Sequence, residues 1–137
     1  MNLAQESPKS PKEKLAGLAH VPRMIDKARA AQQNTLGEYI YPCPLDKIML
    51  EFLEVDSDTF QKKACNDTET AISEWVDSQC HNRSLGDKEA INNKILNSQP
   101  DSPDKWNYFK ELLNGLDPTR TDINTWVDLI DLEEGRL

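Results

Sequence analysis

Between residues 22 and 46 the chain crowds together side chains able to do chemistry: Arg23, Asp26, Lys27, Arg29, Glu38, Tyr39, Tyr41, Cys43 and Asp46. Arg23, Asp26, Lys27 and Ala30 recur at helical spacing, so on a helix they share one face. Such a face reads as a solvated surface with a local Arg–Asp pair, or as a basic platform for an anion with Asp26 orienting Arg23 and Lys27. A further reading is a clasp, in which Arg23 or Lys27 reaches a C-terminal carboxylate such as Asp131 or Glu134 and ties the chain ends together.

Cys43 offers a second kind of chemistry. It stands between Pro42 and Pro44, immediately before an apolar-striped stretch. A thiol at a helix N-terminus faces backbone N–H groups that favour the thiolate. Asp46, in the first turn, opposes that charge, and sequence alone places neither His20 nor His81 beside it. The plainer reading of Cys43 is a small apolar plug under a loop. Glu38 and Asp46 form a third candidate, a carboxylate pair, although Asp46 also fits as a simple first-turn acid favoured by the helix dipole. If the backbone of 39–41 is extended, Tyr39 and Tyr41 point to opposite sides, one inward and one toward a partner.

The elements that must position these groups are helical. Pro22 suits a first helical turn, and Met24, Ile25, Ala28 and Ala31 follow at helical spacing, with Gly37 ending that element or its loop. The prolines at 42 and 44 make residues 38–44 a stiff extended connector. Leu45, Ile48, Met49, Phe52 and Leu53 then match a one-face pattern closely. Asp56 to Asp58 offers caps for a helix carrying Phe60 and Ala64, and Asn66 to Thr68 for one carrying Ile72, Trp75 and Val76. Ser84 to Leu96 is a weaker helix. Ser102-Pro103-Asp104 is a strong start for Trp106, Phe109, Leu112 and Leu113, with Gly115 as terminator. Thr121 or Asp122 caps a last helix holding Ile123, Trp126, Val127 and Ile130. The three tryptophans all fall on apolar stripes and read as core. Leu15, Leu18 and Val21 read as an irregular lead-in. Residues 1–12 read as a flexible polar tail and 13–137 as a single helical domain. The expected fold is all-α, a compact bundle of six or seven short helices.

Composition narrows the function classes. With 37% apolar and 29% charged residues the chain sits among ordinary soluble proteins, and no apolar run approaches the roughly 20 residues of a membrane span. No secretory signal stands at the N-terminus, so cytoplasmic residence is expected. Three scattered cysteines and two histidines supply no zinc framework, so neither metal nor cofactor is expected. The net charge of −8 is uneven: residues 1–40 hold six Lys/Arg against four Asp/Glu, and residues 41–137 hold ten against twenty. A phosphate backbone would be repelled by the larger part, which argues against nucleic acid.

Pro-Arg-Met-Ile-Asp-Lys-Ala-Arg at 22–29, Trp-Asn at 106–107 and Ile-Asp-Leu-Glu-Glu-Gly-Arg at 130–136, taken in that order and spacing, resemble a small bacterial family, the domain-of-unknown-function family 5069. The resemblance runs from about Leu15 to Arg136 and includes Leu-Asp ahead of Phe52-Leu53 and Trp75 in the middle helix. Members often carry a basic, tryptophan-containing segment after the Trp-Asn motif; here Lys110-Glu111-Leu112-Leu113-Asn114-Gly115 runs on instead. The resemblance implies a compact helical domain and brings no activity with it.

The functional expectation is therefore a binding or interaction module, with a protein or small anionic ligand held at residues 22–46. Arg23 and Lys27 would supply charge, Asp26 their orientation, and Tyr39 or Tyr41 contact surface. The alternative is a small enzyme using Cys43, or Glu38 with Asp46, and Arg23 as electrophilic stabiliser. A third is a subunit functional only within a larger assembly.

Overall fold

Each helix begins where the sequence offers a cap or a proline. The computed structural model describes residues 1–137, with seven helices behind a minimal hairpin: β1 (Lys14–Leu15), β2 (Leu18–Ala19), α1 (Val21–Gln32), α2 (Pro44–Leu53), α3 (Ser57–Asn66), α4 (Glu69–Gln79), α5 (Leu85–Leu96), α6 (Pro103–Leu116) and α7 (Trp126–Glu133). Pro22 and Pro44 occupy first-turn positions, where a missing N–H costs nothing. Asp56, Thr68, Ser84, Ser102 and Thr125 each accept a backbone N–H three residues on, which satisfies the orphan donors of α3 to α7.

The apolar stripes of α1 to α5 converge on one core, where Met24, Met49, Leu53, Phe60, Ile72, Val76 and Ile95 are fully buried and Val127 of α7 joins them. A smaller core lies between α6 and α7. In it Phe109 is buried with Leu113, Ile123 and Leu129, and its ring meets Trp106 and Trp126 edge-on. Two polar links fix α1. Arg29 donates to the Ala64 and Asp67 carbonyls at the end of α3, and Gln61 donates back to the Ala28 carbonyl. Asn92 of α5 holds the hairpin by accepting from Ala19 N–H and donating to Gly17 O.

Four local expectations change. Residues 1–12, expected as a flexible tail, lie against the domain: Leu3 and Ser10 are buried, and the N–H of Leu3 donates to Thr35 O. Gly37, at positive φ, makes room for this strand of chain, since a Cβ there would sit 2.8 Å from Ala4 Cα. The lead-in at 14–19 pairs as the antiparallel hairpin β1–β2. The last helix starts at Trp126, not at 122, because Thr125 captures the Asp128 N–H while Asp122 is engaged by Arg120. Likewise α6 runs through Gly115 to Leu116 and stops ahead of Asp117-Pro118.

Candidate functional site

The polar face of α1 is buried. Arg23, Asp26 and Lys27 are each at most 6% exposed, although no sequence rule places three charges in a core. Burial of that kind requires partners, and the fold supplies them in two adjoining clusters.

The first cluster ties the chain ends. Arg23 makes a two-pronged contact with Glu134, Nη1 to Oε1 at 2.9 Å and Nη2 to Oε2 at 2.8 Å, and Nη1 also donates to the Lys9 carbonyl. Tyr39 Oη donates to Glu134 Oε2 at 3.0 Å, and the Arg23 guanidinium lies 5.5 Å from the Tyr39 ring centre. Arg136 turns back to Asp131, Glu134 and the Pro8 carbonyl. Ser10 Oγ donates to Asp131, and the Lys9 N–H donates to Asp26. Burial alone would raise the Glu134 carboxyl, but the bonds from Arg23, Arg136 and Tyr39 hold it below its usual range. This is the clasp reading of Arg23, with Glu134 as the carboxylate.

The second cluster surrounds Asp46, which has no exposure. Its Oδ1 lies 2.6 Å from His20 Nε2, and its Oδ2 accepts from Lys27 Nζ at 2.6 Å and from the Cys43 N–H at 2.9 Å. Lys27 Nζ also donates to Cys43 Sγ at 3.2 Å. Burial would raise the Asp46 carboxyl, but the His20 bond and the Lys27 charge outweigh it and hold it at about 2. Burial pushes His20 below its ordinary value against the pull of Asp46, so the ring is neutral with Nε2–H donating. That leaves Nδ1 as a bare acceptor, buried and without a partner. The His20 backbone is left-handed, with φ 74°, a conformation few non-glycine residues adopt. His20, Cys43 and Asp46 bring metal-ligand atom types within 4.8 Å of one another. The Lys27 ammonium, bonded to two of the three, already occupies the cationic place there.

Cys43 belongs both to this cluster and to the wall of a cavity of about 480 Å³ on the other side of α2's N-terminus. Leu45, Ile48, Trp126 and Ile130 give the cavity apolar walls, and Asp101 and Lys105 at its rim pair with each other at 2.8 Å. The backbone N–H of Trp126 donates to Ser98 O at 3.0 Å, which ties the start of α7 to the end of α5.

The region singled out from sequence is thus divided. Lys27, Cys43 and Asp46 converge. Arg23 and Tyr39 lie in the clasp, and Glu38 is exposed beside Tyr39, away from Asp46, so the two carboxylates belong to different sites. Asp26 contacts Lys9; the orientation expected of it comes from Asp46 for Lys27 and from Glu134 for Arg23. Both tyrosine hydroxyls are engaged, that of Tyr41 donating to the Ser57 carbonyl. Sequence reasoning missed His20 and the cavity walls. His20 had a signal: it stands seven residues before Lys27 and three before Arg23, so it extends the same helical face backward by one position.

The chain belongs to the family described as a domain of unknown function (DUF5069), whose model matches residues 5–136. No curated protein matches it.

Proposed function

We propose that this member of the family is a ligand-binding domain whose site is the Cys43 cavity, and that it takes a small, uncharged, largely apolar molecule. The observation that carries this is the cavity itself: about 480 Å³, with Leu45, Ile48, Trp126 and Ile130 as its apolar wall, polar Ser98, Gln99, Asp101 and Lys105 on its other side, and Cys43 backed by a buried ionic cluster. Its size suits a small organic ligand, since such sites run to about 300–1,000 Å³. The ligand's charge follows from pairing. Arg23 and Lys27, expected to hold an anion, are engaged by Glu134 and Asp46, and the rim charges Asp101 and Lys105 neutralise each other. An incoming anion would have to break a buried ion pair, at a cost of about 3–5 kcal/mol. No helix is long and apolar enough to cross a membrane.

A thermal-shift screen of short-chain amides, alcohols and esters beside carboxylated and phosphorylated compounds tests this. Uncharged compounds should stabilise the protein by about 2.7 kcal/mol at a hundredfold excess over Kd. Ile48→Trp, which fills the cavity, should abolish that gain. Stabilisation by anions that disappears in Arg23→Ala would instead restore the basic platform as the site.

A further inference from the structure

Helix α6 is apolar on two sides, and the fold covers only one of them. Phe109 and Leu113 turn inward to the smaller core, where they are buried with Ile123 and Leu129. Tyr108, Leu112 and Leu116 follow one another at four-residue spacing, which sets them in a single ridge along the helix. They are 56%, 38% and 42% exposed. Apolar residues scattered singly over a surface are ordinary, but three in one row form a patch. Beside the row, α6 and α7 part to leave a groove of about 250 Å³, lined by Leu112, Gly115, Leu116 and Leu129 with Glu111 and Glu133 among its walls. Nothing stands within 4 Å of where a Cβ on Gly115 would lie, so the groove is open there to a neighbour.

The charges around the patch have one sign. Asp104 and Glu111, four residues before and three after Tyr108, run along one edge of the row, and Glu133 of α7 stands on the other side of the groove. All three carboxylates are exposed, and none is taken up in an ion pair. Of the two lysines in α6, Lys105 is paired with Asp101, and Lys110, two residues beyond Tyr108, lies off the row. A second copy of the chain would set these acids against their own kind and bring another net charge of −8. An apolar surface with basic flanks is what complements this face.

We propose that the groove between α6 and α7 docks a cationic amphipathic helix of a partner protein, about three turns long. Its apolar side chains, three and four residues apart, pack on Leu112 and Leu116 and reach Leu129 on the groove floor. Lys or Arg on its flanks meets Asp104 and Glu111 on one side and Glu133 on the other. Tyr108 adds an aromatic anchor of the kind that protein interfaces favour. Helix α7 gives Leu129 and Glu133 to this groove and Trp126 and Ile130 to the Cys43 cavity, and the two share no lining residue. Binding at either can therefore be lost without the other.

The test is fluorescence anisotropy with the full chain and three labelled synthetic peptides. The first is a Leu/Lys peptide with its leucines at three- and four-residue spacing. The second has the same composition in an order without helical periodicity, and the third carries Glu in place of Lys in the first pattern. Expected are saturable binding of the first peptide, at least about tenfold weaker binding of the second, and none of the third. Leu112→Ser with Leu116→Ser changes exposed side chains only and should weaken the first peptide by at least about tenfold. Glu111→Gln with Glu133→Gln should weaken it about three- to tenfold at low salt, the difference closing at about 0.5 M salt. If the serine variant does not fold, the glutamine variant and its salt dependence decide. Equal binding of the ordered and disordered basic peptides, or full binding by the serine variant, means diffuse attraction to an acidic protein and overturns the proposal. A dimer in sedimentation equilibrium that the serine substitutions dissociate overturns it in favour of a second copy on this face. No binding of any peptide overturns it as well.

Discussion

His20 donates one ring nitrogen to Asp46 and keeps the other, unpaired, inside the protein. Because its folded-state pKa lies below the ordinary 6.5, the unfolded chain takes up a proton on acidification before the native state does. Stability is therefore complete above about pH 6.5 and declines as pH falls, by up to about 1.4 kcal/mol per unit for one proton. Asp46 shifts downward too, from 3.8 to about 2, so its contribution is present above pH 4 and is lost between those two values. Urea unfolding at pH 7.5 and 5.5 should show a loss of roughly 1 kcal/mol in the native chain. His20→Asn, which tolerates the left-handed backbone, should flatten that difference. An equal loss in both proteins would contradict the neutral, buried ring. At this scale the sequence was half legible. Residue types at 23, 27, 43 and 46 marked a polar region, but which carboxylate meets which cation depends on α2 and the C-terminus folding over α1 from far along the chain.

Among the elements, helices and caps were the most legible. Asp56, Thr68, Ser84 and Ser102 act by local hydrogen bonding within one turn, so their roles follow from adjacent residues alone. The N-terminal segment was the least legible. It carries little apolar surface, and what holds it is the pairing of buried Arg23 and of Arg136, nearer the surface, with carbonyl acceptors supplied by Lys9 and Pro8. Composition does not reveal such pairing. Deleting residues 1–12 removes the burial of Leu3, worth about 2 kcal/mol, and hydrogen bonds worth about 1 kcal/mol each. Chemical denaturation should show the truncated chain at least about 3 kcal/mol less stable. Unchanged stability would mean that the segment is a tail after all.

For the molecule as a whole, the apolar stripes predicted a single helical domain, and the structure shows a large core from α1 to α5 with a smaller one under α6 and α7. The cavity lies where those parts meet, and its walls come from residues near 45, 100 and 130. Ile48, Trp126 and Ile130 look like ordinary core positions in their own helices, and only the docking of α7 beside α2 leaves space between them. That is why no motif announced the site. The chain carries a net charge of −8, whereas the charged groups at the cavity's rim, Asp101 and Lys105, pair with each other. The most direct measurement is a two-dimensional ¹H–¹⁵N NMR titration with a short-chain uncharged amide. The indole N–H of Trp126 and the amides of Leu45, Ile48 and Ile130 should move together and saturably, while those near Arg23 and Tyr39 stay fixed. Shifts centred on Arg23 and Tyr39, or an unchanged titration in Ile48→Trp, would contradict the assignment of the Cys43 cavity as the binding site.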